Sequence, residues 1–207
     1  MLDGPETRRA VLADAQYEDR QQLEFFEWPE LKEAFIPLAE LVMTKPGNIS
    51  QQLRAEIFTM ASLAAGCQHC QAHGGFSLSL LGVDAQRIRD IWSFEHSELF
   101  DEAEKAALRL ACDAASVPNT VGPEHFAELR RHYSNRQIVE MLAVISLSGW
   151  YNRWNNSIAT VTDRESVDWA EANLKDVGWS LGKHGGGAHE QRKAHPRSAD
   201  TGKVEYE

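Results

Sequence analysis

Apolar residues return every three or four positions along most of this chain, and strand-like alternation is absent. The pattern predicts helices over 18–28 and 30–44, with Pro29 suited to the first turn of the second. Lys45, Pro46, Gly47 and Asn48 break it. Ser50 can then cap a helix whose apolar face carries Leu53, Ile57, Met60 and Ala64. Gly66 ends or bends that helix, and another runs from about Cys67 to Leu81 before Gly82.

Asp84 caps a short helix through Trp92, and Asp101 opens a longer one with Glu102 and Glu104 in its first turn. Gly122 and Pro123 introduce a helix to about Tyr133. Ser134 or Asn135 caps a long apolar helix from Ile138 to about Ile158, and 165–181 reads as a last, partly amphipathic helix. The fold class is therefore all-α, a helical bundle over 30–182. It is preceded by a partly helical extension over 1–29. Past Gly182 the apolar content nearly vanishes, so 183–207 is expected to be a disordered polar tail.

Composition narrows the function. Hydrophobic residues make up 43%, enough for a core, and the net charge of −10 argues against nucleic acid and anionic membrane as partners. The apolar runs are interrupted, so no transmembrane helix is expected, and the first residues lack the apolar segment of a signal peptide. Three cysteines, two of them in one CxxC, do not make a secreted disulfide framework. They fit a cytoplasmic protein with a redox or metal-binding pair.

That pair is Cys67 and Cys70, a CxxC followed by His73. A helix start places the two thiols one turn apart and sets the first beside unpaired backbone N–H groups, which favour a thiolate. His73 can move the proton that thiol chemistry needs. His69 shares a helix face with His73 but sits between the cysteines, so a supporting role is as good a reading as a catalytic one. Glu56, on the preceding helix, would face the CxxC if the chain folds back at Gly66; otherwise it is an exposed partner of Arg54. Zinc on the CxxC with His69 or His73 is the competing reading, but the remaining thiol, Cys112, lies among Ala and Leu and reads as core. Arg153, Trp154 and Asn155 are unusual at the end of an apolar helix and fit a pocket, a subunit contact or plain packing.

Three stretches, Met60 to His73, Asp101 to Leu108 and Asn152 to Thr160, resemble the carboxymuconolactone decarboxylase and alkylhydroperoxidase D (AhpD)-like superfamily. The resemblance implies an AhpD-like helical bundle that assembles as a homodimer, trimer or hexamer. It also implies reduction of organic hydroperoxides by the CxxC, with recycling by a dithiol partner such as a thioredoxin-like or lipoyl protein and with no metal or organic cofactor. Carried over, Cys70 is the attacking thiol, Cys67 resolves it, and a histidine and a glutamate relay protons. The relay histidine of AhpD comes four residues after the second cysteine, where this chain has Gly74; His73 comes at three. The relay glutamate comes twelve before the first cysteine, where this chain has Ala55; Glu56 comes at eleven. Lactone decarboxylases of the superfamily need no CxxC, so its presence disfavours a lyase, one of two alternatives; the other is a non-catalytic oligomeric module whose CxxC is structural or binds zinc.

Overall fold

A computed structural model describes residues 27–186. Eight α-helices follow in order: α1 Pro29–Met43, α2 Gln51–Ala64, α3 Gln68–Leu80, α4 Ala85–Asp90, α5 Glu102–Ala115, α6 Pro123–Leu129, α7 Asn135–Ile158 and α8 Arg164–Asn173. Three 3₁₀ turns, Ile91–His96, Lys175–Val177 and Gly182–Gly185, complete the path. The all-α expectation holds: among the described residues there is no strand. The helix expected over 18–28 lies almost wholly outside the described residues.

Local chemistry starts the helices where the sequence says it should. Ser50 accepts the Leu53 N–H, and Asp101 and Glu104 close a reciprocal capping box, as do Ser134 and Gln137. α2 is the central helix. It packs against α3, α5 and α7, while α3 is held between α2 and α8. Ile57, Leu78, Ile88, Leu108, Leu129 and Met141 are fully buried in one continuous core. Each such side chain contributes roughly 1.5–3 kcal/mol relative to exposure.

Three expectations change. α6 stops at Leu129, short of Tyr133, because the chain turns there through backbone bonds from Arg131, His132 and Tyr133. The last helix stops at Asn173 rather than 181. Leu174 is fully buried and closes the helix, and Gly178, at φ +92°, turns the chain back so that Trp179 packs under the bundle. Residues 183–185, assigned to the tail by composition, belong to the 3₁₀ turn Gly182–Gly185, whose His184 is fully buried. This returning segment, 174–186, lies across the start of α3.

Candidate active site at the start of helix α3

Cys67 is the N-cap of α3, and its sulfur accepts the backbone N–H of Cys70 at 3.3 Å. The two sulfurs are 2.7 Å apart, both are free, and both are buried. Either thiol can donate in this pair, and the surroundings decide. Cys70, as hydrogen-bond partner, brings the Cys67 thiol below its ordinary range; burial opposes, and the Cys70 and His69 N–H groups and the Lys183 ammonium assist. Cys70 is pushed up by the same hydrogen bond, by burial and by the charge on Cys67, with the Asn155 amide pulling the other way. Both directions favour a thiolate on Cys67 over one on Cys70. This is the reverse of the order the resemblance implies.

His73, one turn on, meets a carboxylate, but not that of Glu56. Its Nε2 lies 2.9 Å from Asp163 Oδ2, and the Ser166 hydroxyl is 3.4 Å from Nδ1. Asp163 caps α8, taking the Ser166 N–H on its other oxygen, and these bonds together with His73 hold it below the usual carboxylate range against the effect of burial. Burial pushes the His73 ring down and Asp163 pulls it up.

His69 Nδ1 pairs with Thr162 Oγ1 at 3.0 Å, and its ring lies 4.4 Å from His73 and 5.6 Å from His184, centroid to centroid. Burial, with the neighbouring His73 and His184, brings it down to about 3. His184 donates from Nδ1 to the Thr160 carbonyl at 2.8 Å. Burial keeps this ring neutral, so Nε2 is an acceptor, satisfied by the Asn156 amide turned to present its N–H. Trp179 donates its indole N–H to Gln68 O at 3.0 Å, between the two cysteines in sequence.

Glu56 pairs with Arg87. Arg87 holds both its oxygens, at 2.7 and 3.2 Å, and Gln52 adds 2.9 Å to Oε1. Its carboxylate is fully engaged in an ion pair, and Asp163 is the one His73 meets. Position 74 cannot carry a relay histidine here, because a Cβ on Gly74 would sit 2.3 Å from Thr59 Oγ1. Asn155, singled out from sequence, donates to Cys70 Sγ at 3.5 Å, whereas Arg153 folds back on Gly149 O and Trp154 stacks on Trp150. Cys112 is half-buried and packs against the core. Asp163, Thr162, Trp179 and His184 were not legible as site residues, although the polar Thr160 to Asp163 run after a long helix is the kind of segment that returns to a site. Among the described residues no cluster of His, Cys, Asp and Glu is arranged to hold a metal ion.

No family model matches the chain. The debrominase Bmp8 superposes with a TM-score of 0.67 at 25% identity, over 85% of this chain and 95% of Bmp8; one of its structures is a Cys-to-Ala variant in complex with 2,3,4-tribromopyrrole. A peroxidase-related protein from Ralstonia eutropha JMP134, described as an alkylhydroperoxidase AhpD core, superposes with a TM-score of 0.61 at 20% identity, over 68% of this chain and 74% of its own. The chain is an AhpD-like protein by fold. In sequence, the uncharacterized protein YdfG of Bacillus subtilis is 26% identical over 111 residues, 53% of this AhpD-like chain and 76% of YdfG. No helix of the described residues is long and apolar enough to cross a membrane.

Proposed function

We propose that this AhpD-like chain is a cytoplasmic dithiol oxidoreductase that reduces organic hydroperoxides while its CxxC closes to a disulfide. The observation that carries the reading is the contact of two buried thiols, one of them seated at a helix N-cap with a backbone N–H on its sulfur. The Cys67 thiol gives its proton to His73, which Asp163 orients; the thiolate attacks the terminal peroxide oxygen, the O–O bond breaks, and the alkoxide leaves as an alcohol with the proton that His73 returns. Cys67 is now a sulfenic acid. Cys70 attacks its sulfur, the S–S bond forms, and hydroxide leaves as water. One hydroperoxide and two thiols thus give one alcohol, one water and one disulfide. A thioredoxin-like or lipoyl dithiol would reopen the disulfide. A homo-oligomer fits the exposed Leu38 and Leu41 on α1.

Similarity to Bmp8 favours a second substrate class for the same thiols, a brominated pyrrole. Two thiols can remove bromine from an aryl carbon, which gains hydrogen as bromide leaves and the disulfide closes. The electron count is identical. Reduced protein is treated with stoichiometric cumene hydroperoxide or, separately, a brominated pyrrole; free thiols and bromide are counted, and intact masses are taken of wild type, Cys67→Ser and Cys70→Ser. Loss of two thiols in wild type, with a sulfenic acid trapped in Cys70→Ser, is the expected hydroperoxide result. A sulfenic acid trapped only in Cys67→Ser would restore the order implied by resemblance. Unchanged thiols with both substrates would sink the oxidoreductase reading.

A further inference from the structure

We propose that Asn155, oriented by Thr160, is a catalytic residue of the thiol pair: its side-chain N–H steadies the Cys70 thiolate that closes the disulfide and that departs when a reductant reopens it. This deepens the dithiol reading and rests on it for the existence of the disulfide.

The geometry begins with how α7 ends. Ala159 adopts φ +53°, making it the only non-glycine with positive φ among the described residues. That conformation is unfavourable for alanine. It is held by the N–H groups of Ala159 and Thr160, which both bond Asn155 O. The turn brings Thr160 back over Asn155, where its hydroxyl donates to Asn155 Oδ1 at 2.8 Å. The His184 ring then fastens the Thr160 carbonyl from the returning segment. An amide has one acceptor end and one donor end. With Oδ1 filled by Thr160, the N–H₂ end faces Cys70 Sγ at 3.5 Å. Thr160 thus fixes which end of the amide meets the sulfur.

The chemistry shows why such a donor matters. In the resting dithiol, Cys70 keeps its proton under three influences: the bond to Cys67, burial, and the charge of Cys67. Once Cys67 has become a neutral sulfenic acid, the first and third are gone and burial remains. Cys70 must then ionise inside the protein, in order to attack, with little water to solvate it. Asn155 supplies the charge-assisted hydrogen bond that compensates. In the reverse direction, a reductant thiolate that attacks Cys67 expels Cys70 as a thiolate, and the same N–H receives it. The Lys183 ammonium and the backbone N–H groups act on Cys67, so Asn155 is the side-chain donor placed for the second sulfur.

The test does not depend on hydroperoxide. In a Cys67→Ser/Cys112→Ser background, only Cys70 is left to alkylate, and the pH midpoint of its reaction with iodoacetamide is recorded. Asn155→Ala is expected to raise the midpoint by about one pH unit, a roughly tenfold loss of thiolate below it. Thr160→Val should move it in the same direction by less, and Thr160→Ser should restore it. The midpoint reads thiolate stabilisation directly, and rescue by Thr160→Ser separates the lost hydrogen bond from a change in packing. In the protein with both cysteines, diamide closes the disulfide with no peroxide present, and Asn155→Ala should slow that closure several-fold. Unchanged midpoints in Asn155→Ala and Thr160→Val would overturn the inference. Should Asn155→Ala not fold, Thr160→Val and Thr160→Ser decide it. A normal midpoint shift and slowed diamide closure, with no reaction toward cumene hydroperoxide or bromopyrrole, would remove the proposed substrates and leave the role of Asn155 standing.

Discussion

Two polar clusters flank the core of this bundle, and they are built on opposite terms. At one, Glu56 is almost wholly buried, and Arg87 and Gln52 supply its partners; Arg87 also grips Glu104 at 2.7 Å and the Leu99 carbonyl, and lies over the Phe100 ring. At the other, two sulfurs lie 2.7 Å apart, and the rings of His69, His73 and His184 crowd together with no arginine or lysine among the described residues held against them by a hydrogen bond. A buried charge whose hydrogen bonds are filled has nothing left to give to a reaction. A buried nucleophile beside neutral imidazoles retains the capacity to gain or lose a proton. The first cluster locks α2 to α4 and α5; the second is where chemistry can occur.

The largest effect is expected from Arg87→Leu. It leaves Glu56 as an unpaired carboxylate in the interior, and breaking a buried pair from one side costs about 3–5 kcal/mol. Urea denaturation should show that loss, and Glu56→Leu/Arg87→Leu should recover much of it. Alkylation of Cys67 and Cys70 in the folded protein should be unchanged. A loss under about 1 kcal/mol, or thiols whose pH profile moves with Glu56, would place Glu56 with the chemistry after all.

Next in size is Trp179→Ala, which sharpens the other side. Trp179 is buried and bonded to Gln68 O, so its truncation should cost about 3 kcal/mol, near the low end for a buried tryptophan because the segment is peripheral. Both sulfurs are covered in the present arrangement. Loosening the 174–186 segment should therefore raise the alkylation rate of both thiols at fixed pH several-fold, with faster hydrogen exchange at 179–186. Equal alkylation rates would mean that this segment does not control access.

The contrast between the clusters also marks what sequence could and could not convey. Ser50, Asp101 with Glu104, and Ser134 announce their helices because a cap is made by residues three apart. The CxxC is legible for the same reason, with Cys67 capping and Cys70 donating to it one turn later. The carboxylate for His73 is not, because Asp163 arrives from the far end of the chain and only the packing of α8 on α3 brings it there. Glu56 is one residue from the family's relay position, yet a helix rotates about 100° per residue, and that rotation delivers it to Arg87. Trp179 and Leu181 continue the apolar spacing of α8 and so conceal its end; the reversal at Gly178 is a tertiary choice that periodicity cannot register.

The smallest effect, and the most specific to the imidazole cluster, is its response to acid. His69 titrates at about 3 in the folded protein, brought there first by burial and then by His73 and His184, with Asp163 opposing. Thr162 on its Nδ1 is uncharged. The unfolded chain takes up this proton near 6.5, so between about 6.5 and 3 the unfolded state binds more protons than the folded one. Stability is then complete above 6.5 and declines as pH falls through that window, by on the order of 1 kcal/mol at pH 5 once partial exposure is discounted. His73 and His184, both lowered, act in the same direction. His69→Gln, which cannot take up the proton, should flatten the stability curve between pH 7 and 5, measured by urea denaturation at each pH. Glu56→Gln should leave that slope as it is, because Glu56 answers to Arg87 and not to the histidines. A slope that disappears with Glu56→Gln and survives His69→Gln would reverse the roles assigned to the two clusters.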